Sequence, residues 1–555
     1  MKTGMEYSPI RINNSMTKSP TEDNTLQHLL NISIQLSSEE NIDILMEKVL
    51  LAAIDVASAD AGSIYLINSK KELEFRTVIN KSLSIHVGGQ SLEKITFPNV
   101  PLFIEGQANK SAIVAHTVNT GEVINVADVY DELPFDFSAA RKMDNKTGYR
   151  TKSMLTFPMR DHTKDIIGVI QLMNAIEGDT IIPFSKEVER QILSFASLGA
   201  IALTNRSLIC DMEKLFEAFA KTIAGVIDEK SPHTGGHCKR VPELTLMIAD
   251  AVHQEESGPL SSFSMSPEDR YQLSIAGWLH DCGKIGTPDH IMEKSKKLET
   301  IFDRIEFVTA KLEIASRDID LKHQKSIIKA LKSGKSVEVM QLERIQEVAQ
   351  KQVKLDRAFL QKINIGGEFL TEEQSENIFA IAKRYSISLD GIEQPLLTTN
   401  EVNNLNIKRG TLNDEERLIV QRHMTITQDI LEALPFPKHL SKVTEYALGH
   451  HERVDGTGYP KGLTKEQMSV PARAMAIADI FEALSAADRP YKQAKPVSEC
   501  LNILGKLVIN QHLDADLFTI FVRKRIYEDY INKFANPEQL DEFDIEDIPG
   551  LQSYI

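Results

Sequence analysis

The spacing of apolar and polar positions separates an N-terminal region with strands from a C-terminal region of helices. Apolar residues recur at helical spacing over residues 26–57. The period then shortens, and β-branched and aromatic residues favour strands at residues 62–67, 73–79, 154–159 and 166–173. Helical spacing returns after residue 184 and continues towards the C-terminus. We therefore predict an α/β domain with an antiparallel sheet, followed by an all-α domain.

A long helix is predicted between these two regions. Residues 185–230 contain no proline, and their only glycines are Gly199 and Gly225. Large apolar residues recur every seven positions in two series: Ile201, Leu208 and Leu215, and Met212, Phe219 and Val226. One interpretation is an amphipathic helix that packs on its own domain. The favoured interpretation is a connecting helix of about 65–70 Å that pairs with a second subunit and couples the two domains.

The C-terminal half is interrupted by a segment of different composition. Residues from about 295 to 408 contain no proline before Pro395 and are dense in Lys, Glu, Gln, Leu and Ile. This composition predicts a helical insertion, in the form of a hairpin or a small bundle. The predicted organisation is a disordered tail at 1–24, an α/β domain at 25–184, a connecting helix at 185–230, an all-α domain at 231–540 and a solvated acidic tail at 541–555.

Composition and charge narrow the class of function. With 42% hydrophobic and 26% charged residues among 555, the chain resembles a soluble protein of two or three domains. Its formal net charge of −16 argues against nucleic acid and anionic membranes as partners. The four cysteines form no CxxC pair, which suits a reducing cytoplasm. The polar N-terminus lacks the pattern of a signal peptide, and we expect a cytoplasmic protein without a membrane span.

A short motif in the C-terminal half is the strongest indication of chemistry. His450 and His451 are followed by Glu-Arg-Val-Asp-Gly-Thr-Gly and then by Tyr459 and Pro460. Taken alone, two adjacent histidines are most simply surface residues at the end of a helix. Further residues of the same chemistry lie in predicted helices or at their ends: His237, His280, Asp281, His423 and Asp479.

Together these residues form a nitrogen and oxygen ligand set without thiolate. Asp479 lies among apolar residues, where an isolated carboxylate is costly to bury, so that it must be paired or metal-bound. Five histidines and two aspartates suit iron, manganese, nickel or zinc in two adjacent sites. Two metals about 3.5–4 Å apart clamp a phosphodiester and acidify a water molecule. The ligand set therefore predicts hydrolysis of a phosphodiester.

The N-terminal domain resembles GAF domains. The matching residues are Ala61-Gly-Ser-Ile-Tyr65, Val118-Asn-Thr-Gly-Glu122, Asn125-Val-Ala-Asp128 and Ile167-Gly-Val-Ile-Gln-Leu-Met-Asn174. Residues 137–152, with Asp144-Asn-Lys-Thr-Gly-Tyr149, are similar to GAF domains that bind cyclic nucleotides. The chain departs from the signature of that group, with Ala175 in place of lysine and Val188-Glu189 in place of Asp-Glu. Two roles stay open: a pocket for an unknown small ligand, and a structural or dimerising role.

The order of the candidate ligands resembles the HD superfamily of metal phosphohydrolases. His237, the pair His280-Asp281 and Asp479 match its pattern, and His423 with the motif from His450 to Pro460 matches the HD-GYP subfamily. That subfamily hydrolyses bacterial cyclic dinucleotides, chiefly cyclic di-GMP. The resemblance covers the C-terminal half of the chain except for the insertion.

This resemblance implies a role for each matching residue. One metal is expected on His237, His280, Asp281 and Asp479, and a second on His423, His450 and His451, with Asp281 bridging the two. The expected metals are iron or manganese. Lys284 is implied as a cation beside the scissile phosphate, and further substrate contacts are implied for Tyr459, Arg489 and Lys492. His233 and Glu229 are candidates for a third metal, the alternative for His233 being a solvent-facing histidine on a turn.

We therefore expect a homodimeric, cytoplasmic phosphodiesterase under the control of its GAF domain. Its substrate would be cyclic di-GMP, its first product linear pGpG and its further product GMP. Asp281 and Lys284 are the residues expected to act in catalysis. Two alternatives stay open: the same chemistry on 3′3′-cyclic GMP-AMP, and a receptor that binds a cyclic dinucleotide without turnover.

Overall fold

The computed structural model describes residues 39, 41–91, 93–131, 135–138, 141, 144–145, 148–230, 236–334, 336–367, 369–389, 391–486 and 494–553. The chain divides into two compact units, Met1–Leu215 and Phe216–Ile555. The tail expected at 1–24 lies outside the described residues. The predicted fold class is confirmed: an α/β domain with an antiparallel sheet, a long helix and a mainly helical C-terminal region.

The N-terminal unit is built around one antiparallel sheet. Its elements are α1 (Ile42–Val56), β1 (Ala59–Ile67), β2 (Glu72–Asn80), β3 (Ile85–Gly88), β4 (Val100–Pro101), β5 (Phe103–Ile104), β6 (Gln107–Ala108), α2 (Ile113–Thr120), β7 (Ile124–Val126), β8 (Met154–Arg160), β9 (Ile166–Glu177) and β10 (Thr180–Ile182). The strand order is β3-β2-β1-β9-β8-β7, and each neighbouring pair is antiparallel. All four predicted strands are present.

Both faces of this sheet carry an apolar core, as expected for a sheet with helices on either side. On one face, Leu45 and Val49 of α1 pack with Ile64 and Ile170 of the sheet. Asn41 begins α1 by accepting hydrogen bonds from two N–H groups of its first turn. On the other face, Ile113 and Val114 of α2 belong to a second cluster.

The connecting helix is present with nearly the predicted bounds, as α3 (Lys186–Lys230). Its N-terminal part contributes Phe195 to the core of the N-terminal unit, and its last turns contribute Ala224 to the core of the C-terminal unit. The predicted heptad stripe between them is open to solvent: Leu208 is 55% exposed and Leu215 is 72% exposed. The stripe therefore does not pack on its own domain in the described structure.

The same helix has the length and apolar composition of a membrane span, which no other helix in the described part of the chain has. A single helix of this kind is weak evidence for a membrane span, and 33% of its most apolar 18-residue window is buried inside the structure. Buried helices of soluble proteins meet the same criterion.

The C-terminal unit is mainly helical. Its elements outside the insertion are α4 (His237–His253), α5 (Pro267–Leu279), α6 (Asp289–Met292), α11 (Asp414–Ala433), α12 (Val443–Leu448), α13 (Val470–Ser485), α14 (Val497–Ile509), α15 (Ala515–Arg523) and α16 (Ile526–Phe534). Short 3-10 helices lie at Cys282–Gly286, Lys438–Leu440, Gly449–His451, Lys465–Gln467, Pro537–Gln539 and Ile545–Asp547. One continuous apolar core joins α4, α5 and α13 to the last turns of α3.

The predicted helical insertion is present and has a core of its own. It consists of α7 (Ile305–Lys332), α8 (Ser336–Asn364), α9 (Glu372–Arg384), β11 (Ser386–Leu389), β12 (Ile392–Pro395) and α10 (Thr399–Leu405). The β-hairpin formed by β11 and β12 was not predicted, because four-residue strands are too short for their alternation to stand out.

The expectation of a solvated acidic tail is wrong for part of that segment. Ile548 is 4% exposed and lies in the core of the C-terminal unit, and Phe543, Ile545 and Leu551 pack against it. The acidic residues between them remain exposed, as Glu546 does while it pairs with Arg523 at 2.8 Å. Apolar residues at close intervals among the acids explain the difference, since burying them is favourable.

Candidate metal centre

Capping residues fix where the ligand-bearing helices begin. Ser266 and Asp269 form a capping box at the start of α5, and Asn413 and Glu416 form one at the start of α11. Oδ1 of Asn413 accepts a hydrogen bond from the N–H of Glu416 at 2.9 Å. Gly236 precedes α4 with a φ of 81°, a conformation that favours glycine and starts the helix at His237.

The turn after α5 places two further predicted ligands, His280 and Asp281, in the interior of the domain. His280 caps the C-terminus of α5, and Asp281 precedes the 3-10 helix Cys282–Gly286, which we call the 282–286 turn. This turn lies against α11: a Cβ atom on Gly283 would lie only 2.0 Å from the carbonyl oxygen of His423. The absence of a side chain at Gly283 therefore permits the close approach of the two elements.

The structure brings all seven predicted ligands together, in two groups that share one aspartate. Within each group the ligand atoms lie within 4.8 Å of one another. The first group is His237, His280, Asp281 and Asp479, and the second is Asp281, His423, His450 and His451. These are the two sets that the family resemblance implies. Their role as metal ligands stays a prediction.

Asp281 lies between the two groups and presents one oxygen to each. Its Oδ2 lies 3.2 Å from Nε2 of His280 and 3.5 Å from Nε2 of His237. Its Oδ1 lies 3.4 Å from Nε2 of His423 and 4.0 Å from Nε2 of His450. Asp281 is 1% exposed, so that water does not solvate its charge. The arrangement suits a carboxylate that bridges two cations.

Four of the imidazoles are oriented in the same way. Nδ1 faces the carbonyl three residues earlier, at 2.5 to 2.7 Å, in His280, His423 and His450. In His237 it faces the carboxylate of Glu482. A proton on Nδ1 leaves the lone pair of Nε2 directed at the centre, which is the arrangement of a metal-binding histidine.

Buried atoms without a partner support a cation at this place. Among the described residues, Nε2 of these four histidines and Oδ1 of Asp281 are buried and have no hydrogen-bond partner. A buried polar atom without a partner is costly, and five that converge on one place require an explanation. The HD-type donor set and these five atoms fit divalent metal ions.

The pKa values of the second group favour neutral rings. Burial, and then the neighbouring His280, lower the pKa of His450 to about 4. Burial likewise lowers the pKa of His423, and burial together with His450 lowers that of His451 well below its usual range. These three imidazoles are therefore unprotonated at neutral pH, the form that binds metals.

In the first group the carboxylates create a negative electrostatic field that shifts the pKa of His237. Burial raises the pKa of Asp281, but Lys284 and His280 outweigh it and hold that pKa well below its usual range. Burial lowers the pKa of His237, but Glu482, Asp281 and Asp479 outweigh it and raise that pKa well above its ordinary value. The same negative field that favours a proton on His237 also favours a divalent cation.

Lys284 and Tyr459, the substrate contacts that the resemblance implies, both contact predicted ligands. Nζ of Lys284 lies 2.5 Å from Oδ2 of Asp281, although α5 ends before it and the lysine belongs to the 282–286 turn. The ring of Tyr459 stacks on that of His451, with centroids 4.9 Å apart. Burial raises the pKa of Tyr459 to about 12, so that the phenol keeps its proton.

Three other candidates cannot be placed. His233, Arg489 and Lys492 lie outside the described residues. Glu229 is exposed and belongs to neither ligand group. The third metal therefore stays a prediction, as do the contacts of Arg489 and Lys492.

Residues that support the ligands were not predicted. Glu482, which is 1% exposed, contacts Nδ1 of His237 and accepts a hydrogen bond from Nε of Arg240 at 2.7 Å. Glu452, which follows His451, is 2% exposed and accepts hydrogen bonds from the backbone of Lys461 and Leu463. It thereby ties the loop that carries Tyr459 to the histidine pair. A sequence signal existed for Glu482, because it lies one helical turn after Asp479 on an apolar helix.

Two family models match the C-terminal unit, and both are described as HD domains. They cover residues 234–354 and 398–517. The chain contains an HD domain. The first match includes the predicted ligands His237, His280 and Asp281, and the second includes those from His423 to Asp479. The two matched regions lie together in the structure, because residues of both belong to the same ligand groups. One HD centre is thus assembled from both sides of the insertion, and HD domains bind divalent metals.

Curated relatives match only a part of the chain. The 3′3′-cGAMP-specific phosphodiesterase 1 of Vibrio cholerae is 42% identical over 116 residues, which are 21% of this chain and 26% of that protein. A cyclic di-GMP phosphodiesterase of Pseudomonas aeruginosa is 38% identical over 116 residues, 21% of this chain and 27% of that protein. The chain therefore spans about a quarter of the length of these relatives.

Solved structures similar to this chain include GAF domains. The GAF domain of an Acinetobacter phosphoenolpyruvate-protein phosphotransferase covers 35% of this chain and 98% of its own length, at 14% identity and a TM-score of 0.25. The corresponding domain from Coxiella burnetii covers 34% of this chain and 98% of its own length, at 15% identity and a TM-score of 0.26.

Proposed function

We propose that this protein is a metal-dependent phosphodiesterase that hydrolyses cyclic di-GMP. The observation that carries the proposal is the convergence of five buried, unpartnered ligand atoms in two groups that share Asp281. An HD domain of this ligand composition and the names of its relatives support a cyclic dinucleotide as the substrate. Two divalent metals, iron or manganese, occupy the two groups, and His233 with Glu229 is the candidate for a third.

The proposed reaction opens the ring at one phosphodiester. Water attacks phosphorus, the bond from phosphorus to the ribose 3′-oxygen breaks, and the 3′-oxygen takes up a proton. The product is linear pGpG, and a second hydrolysis gives GMP. When bound, the metals supply an acidified water molecule and positive charge for the phosphoryl oxygens.

The residues of the chain orient this reaction. Asp281 and four of the histidines, His237, His280, His423 and His450, are buried and hydrogen-bonded, so that their ligand atoms need no reorganisation during catalysis. Lys284 lies beside Asp281 and provides a cation for a phosphoryl oxygen. Tyr459, stacked on His451, contacts the substrate at the edge of the site. Arg489 and Lys492 are proposed as further contacts.

A second candidate substrate is 3′3′-cyclic GMP-AMP. It is favoured by the printed activity of the Vibrio cholerae relative, which is 42% identical over its match. The two substrates differ only in one base, so that the metal centre treats their phosphodiesters alike. Contacts to that base decide between them.

The N-terminal unit is proposed to regulate the HD domain as a cytoplasmic sensor. A cavity of about 660 Å³, lined in part by Tyr130, Phe137 and Arg141, is the candidate site for its unknown small ligand. Two chains are proposed to pair along the exposed heptad stripe of α3, in which Met212, Phe219 and Val226 are 51%, 50% and 53% exposed.

One experiment tests the function directly. The protein is purified without oxygen, its metals are counted, and it is incubated with cyclic di-GMP or with cyclic GMP-AMP before chromatography of the products. Two or three metals per chain and a linear dinucleotide are expected. Bound metal and tight dinucleotide binding without any product would instead establish a receptor and overturn the enzymatic proposal.

A further inference from the structure

The last turn of α3 contacts two elements next to residues of the first ligand group. Asp228 approaches the start of α4, where His237 lies, and Lys230 approaches the 282–286 turn, which follows Asp281. Neither residue is a ligand, and neither belongs to the HD pattern described above. Their contacts connect the end of the connecting helix to the segments that carry His237 and Asp281.

Asp228 takes the place of a missing helix cap. Gly236, at the N-cap of α4, has no side chain that could accept the first free N–H groups of the helix. Oδ2 of Asp228 accepts a hydrogen bond from the backbone of Gly236 at 3.1 Å, and Oδ1 accepts one from Cys238 at 3.4 Å. A carboxylate is also favourable beside the positive end of a helix. Because these two N–H groups flank His237, the contact fixes the position of that ligand.

Lys230 binds the C-terminal end of the 282–286 turn. Its Nζ donates hydrogen bonds to the carbonyl oxygens of Ile285 at 2.6 Å and Thr287 at 2.8 Å, and lies 3.4 Å from that of Lys284. An ammonium group has three donors, which these carbonyl groups satisfy together with the exposed carboxylate of Asp289, 3.5 Å away. These carbonyl groups end a 3-10 helix, where a cation is favoured. The side chain is 23% exposed, and water screens the contact only partly.

The other side of this turn is held by α11. The N–H of Gly283 donates to Oγ1 of Thr427 at 2.9 Å, four residues after His423. The turn therefore lies between α11, which carries a ligand of the second group, and the end of α3. Within the turn, Lys284 contacts Asp281, so that a displacement of the turn reaches both the bridging ligand and the proposed catalytic cation.

We propose that Asp228 and Lys230 are positioning residues of the metal centre. Together they hold His237 and the 282–286 turn at a fixed distance from each other, so that a rotation or shift of α3 changes the geometry of the first ligand group. Regulation by the N-terminal unit then acts on metal geometry rather than on access to the site. This inference rests on the proposed metal-dependent function.

The test replaces Lys230 in the full-length protein and reads the metal centre by spectroscopy. Lys230→Met keeps the aliphatic stem and removes the donors, Lys230→Arg keeps a donor cation, and Asp228→Asn weakens the helix cap. Lys214→Met is the matched control, because Lys214 lies on the same helix, is 77% exposed and pairs with Asp211. Each metal-free protein is titrated with Co²⁺, whose visible absorption reports ligand geometry.

Lys230→Met is expected to change the Co²⁺ spectrum and to weaken Co²⁺ binding about tenfold, the effect of losing an outer-shell contact. Lys230→Arg restores the wild-type spectrum, and Lys214→Met retains it. With cyclic di-GMP and saturating metal, Lys230→Met lowers kcat about tenfold with little change in KM, because the ligands are displaced and not the substrate.

A wild-type spectrum and wild-type Co²⁺ affinity in Lys230→Met would overturn the proposal. If that variant does not fold, Asp228→Asn decides in its place: a changed spectrum supports the proposal and an unchanged one overturns it. The spectra also separate this inference from the proposed function. A wild-type protein that hydrolyses no cyclic dinucleotide would refute the function, while its Co²⁺ spectra would still decide the role of Lys230.

Discussion

The carboxylate of Glu482 contacts Nδ1 of His237 from a position one helical turn after Asp479. The same helix α13 thus supplies a ligand of the first group and the acceptor that orients another ligand of that group. Arg240 neutralises part of the charge of Glu482 through its Nε. A carboxylate behind a metal-binding histidine fixes the ring and raises its basicity.

We expect Glu482→Gln to weaken metal binding by about 10- to 100-fold, because a neutral amide orients the ring less well than the carboxylate does. Competition with a chelator measures the change. Glu499→Gln is the control, since Glu499 lies on the neighbouring helix α14, is 49% exposed and pairs with Lys495, which precedes that helix. Equal affinities for the two variants would contradict a supporting role for Glu482.

Asp281→Asn is expected to disrupt both ligand groups at once. Each of its oxygens faces a different set of imidazoles, and an amide offers only one neutral oxygen. Metal analysis should find fewer than one metal per chain, and hydrolysis should fall at least about a thousandfold. Asp529→Asn, at an exposed position of α16, should keep both properties. Normal turnover by Asp281→Asn with metal still bound would refute a shared centre.

Glu416→Gln is expected to destabilise the junction between the insertion and α11. Lys294, with a side chain 1% exposed, lies 2.8 Å from Glu416 and donates to Oδ1 of Asn404 at 3.0 Å. Removing one partner of such a buried pair leaves a buried charge and costs about 3–5 kcal/mol. A thermal unfolding curve should show a lower midpoint for this variant than for Glu415→Gln, its exposed neighbour. Indistinguishable curves would show that the pair contributes little.

Lys297→Met should give a pH-dependent gain in stability. Lys297 is 2% exposed, and burial lowers its pKa to about 8, while its Nζ donates to the uncharged carbonyl of Leu405 at 3.0 Å. Between that value and about 10.5 the unfolded chain binds a proton that the folded chain has lost, so that stability rises with pH through this window. Below pH 8 the folded protein bears the full cost of the buried charge, about 1–3 kcal/mol.

The gain of the Lys297→Met variant should therefore be greatest at pH 7 and should shrink as the pH approaches 10. Unfolding midpoints of variant and wild type, compared at each pH, measure it. Lys296→Met serves as the control, because Lys296 is 47% exposed and pairs with Asp303 at 3.0 Å. A constant difference between Lys297→Met and the wild type at all pH values would contradict the assignment.

Charges on the exposed stripe of α3 should prevent pairing of two chains. Leu208→Glu combined with Leu215→Glu places like charges at two positions of the heptad repeat. Analytical ultracentrifugation should find a dimer for the wild type and for Ser207→Glu, at an exposed position outside both heptad series, and a monomer for the double variant. A dimer that persists in the double variant would place its interface elsewhere.

The ligands could be predicted from the sequence because their chemistry is rare and their order is that of a family. Glu482 could have been found with the argument used for Asp479, since both are carboxylates on the same apolar helix. Lys230 could not, because its nearest partners are backbone carbonyl groups, which every residue has, and its one charged partner, Asp289, is an exposed residue at 3.5 Å. Contacts of this kind depend on the tertiary fold and leave no pattern of residue types.

The strands of the N-terminal sheet were predictable for a different reason. Their β-branched runs are long enough to show a period, as in β9, whereas β11 and β12 have only four residues each. The prediction of a solvated tail at 541–555 was wrong in part because it rested on the acidic residues and not on the apolar residues between them. Ile548 follows a run of acidic residues, yet its side chain is 4% exposed and belongs to the core of the C-terminal unit.

The two ends of the insertion are fastened to each other where it leaves the HD domain. Oγ1 of Thr411 donates to the carbonyl oxygen of Lys294 at 2.8 Å, and Lys297 reaches Leu405. Because the two ends of the insertion lie next to each other, the segment between them can be replaced by one of another length. The flanking parts of the HD domain then keep their positions. A fluorescent reporter or a foreign binding module could therefore replace the segment between Lys297 and Leu405. The hydrogen bonds from Thr411 to Lys294 and from Lys297 to Leu405 would have to be kept.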